Sequence, residues 1–253
     1  MLDFLRETGY RNPAIFALDY SLVPYKHYPF QVNEAIAGLE YVIKAVGGDA
    51  SRVCLGADSA GATISLSMFL ELAQRRRQSN QVRTAMMRSV AGACAIRSGT
   101  VKTTIPNRPH LAVLISPWTN LIRPDLHRNT TTDYLDAPTL WLRATQYAGN
   151  TDVMSSPLNP GECADDALWR EAAPAAGYHV LFSSDEVMVG DIRDFIASQR
   201  EYGVAVRTSE TSGQPHAWAV AAMFLATSIE DRFKGLRDFT NAVSTYIPVI
   251  VDK

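Results

Sequence analysis

The chain has 253 residues, of which 47% are hydrophobic and 20% charged, and its formal net charge at pH 7 is −2. This composition is typical of a globular protein and gives no general attraction to nucleic acid or to an anionic membrane. No apolar run approaches the roughly 18 residues that a bilayer-spanning helix needs, and residues 1–8 are amphipathic and charged, unlike a secretion signal. The three cysteines, Cys54, Cys94 and Cys163, have no disulfide-framework spacing, so we expect a reducing, cytoplasmic location.

Apolar periodicity predicts strands that alternate with helices along the chain. The predicted strands are residues 13–20, 52–55, 111–116, 178–183 and 204–210. The predicted helices are residues 1–9, 31–46, 63–72, 133–149, 191–203 and 229–247. Alternating elements of this kind predict an α/β fold, in which a mostly parallel sheet carries helices on both faces. Because no repeat or linker interrupts the pattern, we expect residues 1–253 to form a single domain.

Residues 74–110 differ in composition from the rest of the chain. They contain 8 lysine and arginine residues and no acidic residue. A positive block can mark an anionic partner, but these charges are spread over a stretch rich in serine, threonine and asparagine. We therefore favour a solvated insertion, with a short helix over residues 85–96.

The sequence ADSAG, at residues 57–61, lies between a predicted strand and a predicted helix. Small residues at such a corner allow strand and helix to pass close together, and they hold a serine hydroxyl exposed at the helix N-terminus. The usual form of this turn, the nucleophile elbow, is Gly-x-Ser-x-Gly, and here Ala57 replaces the first glycine. A serine that only caps a helix is the structural alternative. Ser59 is the candidate nucleophile.

Three kinds of functional side chain follow predicted strands. Ser59 follows the strand at residues 52–55, Asp185 and Glu186 follow that at 178–183, and His216 follows the last strand. Parallel strands place such groups at one edge of the sheet. In a serine, acid and histidine triad, the histidine takes the serine proton and the acid fixes the histidine tautomer. His216 could instead be an ordinary loop histidine, and the residues alone leave the choice between the two acids open.

With these motifs in place, the chain resembles the hormone-sensitive-lipase-like family of α/β-hydrolases, which includes microbial and fungal carboxylesterases. The matching segments are DYSLVP at 19–24, GADSAG at 56–61, SPW at 116–118, SPL at 156–158, DEVM at 185–188 and HAW at 216–218. The resemblance implies an α/β-hydrolase fold, a small ester substrate, and no metal, organic cofactor or nucleic-acid partner. It also implies a catalytic triad of Ser59, Glu186 and His216, with Asp185 outside it.

Two features of that family have no counterpart here. The family's His-Gly-Gly-Gly loop supplies most of its oxyanion hole, yet no His-Gly-Gly occurs in this sequence, so Ala60 is the one oxyanion-hole amide that can be identified. The family's first strands, including one between those matching residues 13–20 and 51–57, and its N-terminal cap are also missing. We therefore expect a truncated chain that hydrolyses esters poorly, or a non-catalytic remnant or binding module, with self-association through unpaired strand edges.

Overall fold

The structure is a computed structural model that describes residues 1–90 and 108–249. The strands in these ranges are β1 (Cys54–Asp58), β2 (Leu111–Ile115), β3 (Tyr178–Ser183) and β4 (Val206–Thr211). The α-helices are α1 (Leu2–Glu7), α2 (Phe30–Ala45), α3 (Ser59–Val90), α4 (Ala137–Ala148), α5 (Asp166–Ala172), α6 (Val189–Glu201), α7 (Trp218–Leu225) and α8 (Ile229–Tyr246). Within these ranges, no helix combines the length and the apolar character needed to cross a bilayer.

The four strands form one parallel sheet in the order β1-β2-β3-β4. Parallel neighbours require crossover connections, which here contain helices. Since all four strands run in the same direction, their carboxyl ends lie at one edge of the sheet. The predicted α/β architecture is confirmed.

Helices cover both faces of the sheet, and β2 shows how the two faces are divided. Ala112 and Leu114 pack into a core with residues of α2 to α6, whereas Leu111, Val113 and Ile115 pack with residues of α1, α7 and α8. Successive side chains of a strand point to opposite faces, so a strand buried on both faces needs the unbroken apolar run that this sequence has.

The prediction of a buried strand over residues 13–20 is wrong. This segment joins no ladder, and Ile15, Phe16 and Leu18 are 54%, 47% and 37% exposed. Its side chains lie on α2, where the ring of Phe16 is 5.2 Å from that of Tyr41. A strand needs a neighbour for its backbone hydrogen bonds, and none of the described strands pairs with this segment.

The first strand is an edge strand, so it is less buried than its sequence suggested. In the described sheet β1 pairs with β2 alone. Its residues Cys54, Leu55 and Ala57 are half-buried, and Gly56 and Asp58 are exposed. The backbone of Gly56 is exposed at this edge. Exposed edges of this kind are the usual sites of strand-to-strand association.

The basic segment continues α3 as far as Val90, so its first part is not a separate insertion. The remainder, and the second half of the helix predicted at residues 85–96, lie outside the described residues. Arg77 forms ion pairs with Asp165 at 2.6 Å and Glu171 at 2.9 Å. The Arg108 guanidinium donates to the carbonyl groups of Arg170 and Glu171 in α5 and, at 2.9 Å, to that of Ala173, the residue after the helix. These two arginines thus bind the neighbouring α5 rather than an external anion.

Candidate active site

Ser59 begins α3 directly after the carboxyl end of β1, in a strained backbone conformation. Its φ is +46°, a left-handed value that residues other than glycine rarely adopt. The side chain is half-buried, and its hydroxyl makes no hydrogen bond within the described residues. A strained serine at the start of a helix is the geometry of a nucleophile elbow.

The packing around this turn explains why alanine is tolerated at position 57. A Cβ added to Gly56 would lie 2.8 Å from the Phe239 ring of α8, too close to fit without movement. A Cβ added to Gly61 would lie 3.9 Å from the Cβ of Ala57, which is an ordinary contact. The position at which packing against a neighbouring element requires glycine is therefore Gly56, one residue before the first glycine of the usual motif.

Glu186 and His216 form a buried pair beyond the ends of β3 and β4. The His216 Nδ1 lies 3.0 Å from the Glu186 Oε2, and the two residues are 3% and 0% exposed. The other oxygen of Glu186, Oε1, accepts a hydrogen bond from the Ser183 amide at 3.1 Å. A carboxylate accepts only, so in this pair Nδ1 carries the proton and Nε2 is left as an acceptor. The buried Nε2 has no hydrogen-bond partner among the described residues.

Asp185 points away from this pair, toward the loop that follows β4. Its Oδ2 accepts from the Gly213 amide at 2.7 Å and from the Ser184 hydroxyl at 2.9 Å. These two hydrogen bonds, led by that from Gly213, lower the pKa of the Asp185 carboxyl from its ordinary value. The structure therefore brings Glu186, rather than Asp185, to His216.

The segment after β2 contacts both the Ser59 turn and the His216 loop. The Trp118 amide donates to the carbonyl of Ser59 at 3.3 Å, and the Ala217 amide donates to the Ser116 hydroxyl at 2.9 Å. Both Ser116 and Ala217 have positive φ angles, of 43° and 51°. Ser59 and His216 are thus held at the same edge of the sheet, although no hydrogen bond joins their side chains in the part of the chain described.

Sequence reasoning missed two residues beside His216. Asp133 accepts a hydrogen bond from the His216 amide at 3.2 Å, and the Tyr134 hydroxyl donates to the His216 carbonyl at 2.9 Å. Both residues fall within the helix that the sequence predicts at residues 133–149. The signal that could have separated them is Pro138, since proline favours the first turn of a helix. In the structure α4 begins at Ala137 with Asp136 as its N-cap.

The Ala60 amide is the second of α3, so it has no carbonyl partner within the helix. It is therefore available to an anion next to Ser59. Among residues 1–90 and 108–249, no cluster of three histidine, cysteine or acidic side chains could hold a metal ion.

Comparisons with solved structures find esterases of similar fold. A hormone-sensitive-lipase homologue from a metagenome library has a TM-score of 0.64 and 18% identity, and the match covers 90% of this chain and 66% of that one. Carboxyl esterase 2 from the mycorrhizal fungus Tuber melanosporum has a TM-score of 0.70 and 17% identity, with coverages of 97% and 71%. An esterase from the bacterial hormone-sensitive lipase family has a TM-score of 0.62 and 19% identity, with coverages of 90% and 64%.

The chain thus spans about two thirds of the length of these esterases. Among curated protein sequences, none matches it. A family model described as the alpha/beta hydrolase fold matches residues 8–220, which include Ser59, Glu186 and His216. The chain belongs to the α/β-hydrolase fold family.

Proposed function

We propose that this chain is a serine hydrolase of carboxylic esters that forms an acyl-enzyme on Ser59, with His216 as the base and Glu186 as the orienting acid. The observation that carries the proposal is the 3.0 Å contact between Glu186 Oε2 and His216 Nδ1, which leaves Nε2 free. Strained Ser59 lies at the same edge of the sheet. Fold alone would not support an activity, whereas this arrangement of side chains supports a specific one.

In the proposed reaction the Ser59 Oγ attacks the ester carbonyl while His216 Nε2 accepts the hydroxyl proton. The Glu186 carboxylate stabilises the resulting imidazolium, and it does so strongly because both groups are buried away from water. The Ala60 amide donates to the oxyanion of the tetrahedral intermediate. The intermediate then expels the alcohol, which takes the proton from Nε2, and leaves an ester on Ser59. Water repeats the sequence to release the acid.

A second candidate is a non-catalytic hydrolase-like binding module. The observation that favours it is that Ala60 is the one backbone donor identified for the oxyanion, with no His-Gly-Gly in the sequence. Loss of a single oxyanion donor typically lowers kcat by about 10²–10³-fold. A chain with one donor would therefore react slowly even with its triad in place, and it would then bind an ester rather than cleave it.

Labelling with a fluorophosphonate probe separates the two candidates. This probe labels a serine that a neighbouring base activates, and it reports a single irreversible reaction, so slow labelling is detected where slow turnover would be missed. The hydrolase proposal predicts an adduct on Ser59, found by peptide mass spectrometry, and no adduct on the Ser59→Ala variant. A folded chain that stays unlabelled would favour the binding module.

A further inference from the structure

Asp133 lies on the loop between β2 and α4, and its carboxylate bridges the two loops that carry Glu186 and His216. The Oδ2 of Asp133 accepts from the Val187 amide at 2.7 Å, and Oδ1 accepts from the His216 amide at 3.2 Å. Val187 directly follows Glu186 in the chain. One side chain thus holds the backbone beside the acid and that of the histidine itself.

The neighbours of Asp133 reinforce this bridge. The Thr130 hydroxyl donates to the carbonyl of Asp185 at 2.7 Å, and the Tyr134 hydroxyl donates to the carbonyl of His216 at 2.9 Å. Residues 130–134 therefore make two hydrogen bonds to the loop that carries Glu186 and two to the loop that carries His216. The Tyr134 ring also packs edge-on against the His216 ring, with centroids 6.2 Å apart.

The bridge matters because Glu186 and His216 come from loops that are separated by α6 and β4. Their contact depends on the relative position of those loops, and small displacements in an active site are costly. The bond between Asp185 and Gly213 also joins the loops, but it lies three residues before His216. Asp133 instead contacts the amide of His216 itself and the residue next to Glu186.

We propose that Asp133 is a positioning residue that fixes the distance between Glu186 and His216. The proposal rests on the hydrolase function proposed above, because it assigns Asp133 a role only through that pair. Asp133 itself does not touch the reacting atoms. Its Oδ2 accepts from the Val187 amide, and its Oδ1 accepts from the His216 amide and, at 3.1 Å, from the Leu135 amide. Both oxygens therefore face N–H donors, and only a carboxylate can serve all of them without placing an N–H group against another N–H group.

The test is the Asp133→Asn variant of the full chain, which keeps the shape of the side chain but replaces one acceptor by a donor. We expect kcat for a p-nitrophenyl ester to fall by about 10- to 100-fold with KM little changed, since substrate contacts remain while the pair is displaced. We also expect the downfield proton resonance of the His216 Nδ1–H, seen by NMR, to move upfield. Glu186→Gln should abolish that resonance and so identifies it.

Asp136→Ala is the matched control, because Asp136 lies on the same loop but caps α4 through the Thr139 amide. It should lower the melting temperature while leaving the resonance and kcat unchanged. An unmoved resonance in Asp133→Asn, or its absence from the unmodified chain, would overturn the positioning role. A moved resonance in a chain that hydrolyses no ester would instead reject the proposed function and keep the role of Asp133.

Discussion

The two sides of this molecule differ in how their backbone and apolar groups are satisfied. At the carboxyl edge, β2 to β4 are paired and the loops beyond them are tied together around Glu186, which is fully buried. Along the outer side of β1, by contrast, one edge of the sheet is open in the described structure, and residues 13–20 join no strand. Both sides have apolar sequences, so the comparison teaches that an apolar run becomes a buried strand only where a partner strand exists.

The largest effect that we expect on the well-paired side comes from the acid. In Glu186→Gln, an amide NH₂ must face either His216 Nδ1–H or the Ser183 amide, which are both donors. We expect kcat to fall by about 10⁴-fold, as when the acid of a serine protease triad is made an amide. Asp185→Asn is the matched control and should cause a far smaller decrease in the same ester assay. Reversal of the two effects would show that Asp185 is the acid.

The second prediction compares how much two leucines, one from each side, contribute to the free energy of unfolding. Leu114 in β2 is fully buried, whereas Leu22, beyond the segment at residues 13–20, is 65% exposed. Leu114→Ala should lower the free energy of unfolding by about 2–5 kcal/mol because it leaves a cavity. Leu22→Ala should change that free energy by no more than about 0.5 kcal/mol. Urea titration followed by circular dichroism measures both, and equal losses would show that the exposed side is packed more tightly than the structure indicates.

A third prediction concerns association through the open side. The edge of β1 and the exposed side chains of Ile15 and Phe16 should make the chain self-associate and bind the dye ANS. Replacing Phe16 by serine should reduce dye binding and the sedimentation coefficient while leaving the melting temperature nearly unchanged. The same replacement at Tyr25, which is also exposed but lies outside this segment, is the control for the loss of an exposed aromatic ring. A monomeric parent chain that does not bind ANS would contradict the prediction.

The smallest effect should come from the Asp185 carboxyl. Its pKa is lowered in the folded state by the Gly213 and Ser184 hydrogen bonds. These bonds therefore stabilise the fold fully at a pH above 3.8, the ordinary pKa that the carboxyl has in the unfolded chain. The stabilisation is lost as the pH falls from 3.8 through the lower pKa of the folded state. The difference in melting temperature between the parent and Asp185→Asn should be largest near neutral pH and shrink in acid. A difference that grows in acid would reverse the sign of the pKa shift.

Sequence reasoning succeeded where local pattern determines structure. The strand predicted at residues 178–183 matches β3 at both ends, because a mostly apolar run between Gly177 and the polar residues after Ser183 is sufficient to define it. The side chains at the carboxyl ends of the strands could also be named in advance. The close contact between Glu186 and His216 required the family resemblance as well, since both acids follow the same strand.

Sequence reasoning failed where structure depends on distant residues. Residues 13–20 have the composition of a strand, but whether they form one depends on pairing with a strand that is distant in the sequence. The bridging contacts of Asp133 are invisible in the sequence for the same reason, because the amides of Val187 and His216 belong to residues 54 and 83 positions away. Helices α5 and α7, of 7 and 8 residues, are too short to show a clear period.

The most direct test of the central claim is to trap the acyl-enzyme. The full chain would be mixed with p-nitrophenyl acetate, quenched in acid, digested and examined by mass spectrometry, beside the His216→Ala variant. The account predicts an acetyl group on Ser59 in the parent chain and none in the variant. Ester hydrolysis by a folded parent chain with the acetyl group on another residue, or with equal acetylation of Ser59 in His216→Ala, would contradict it.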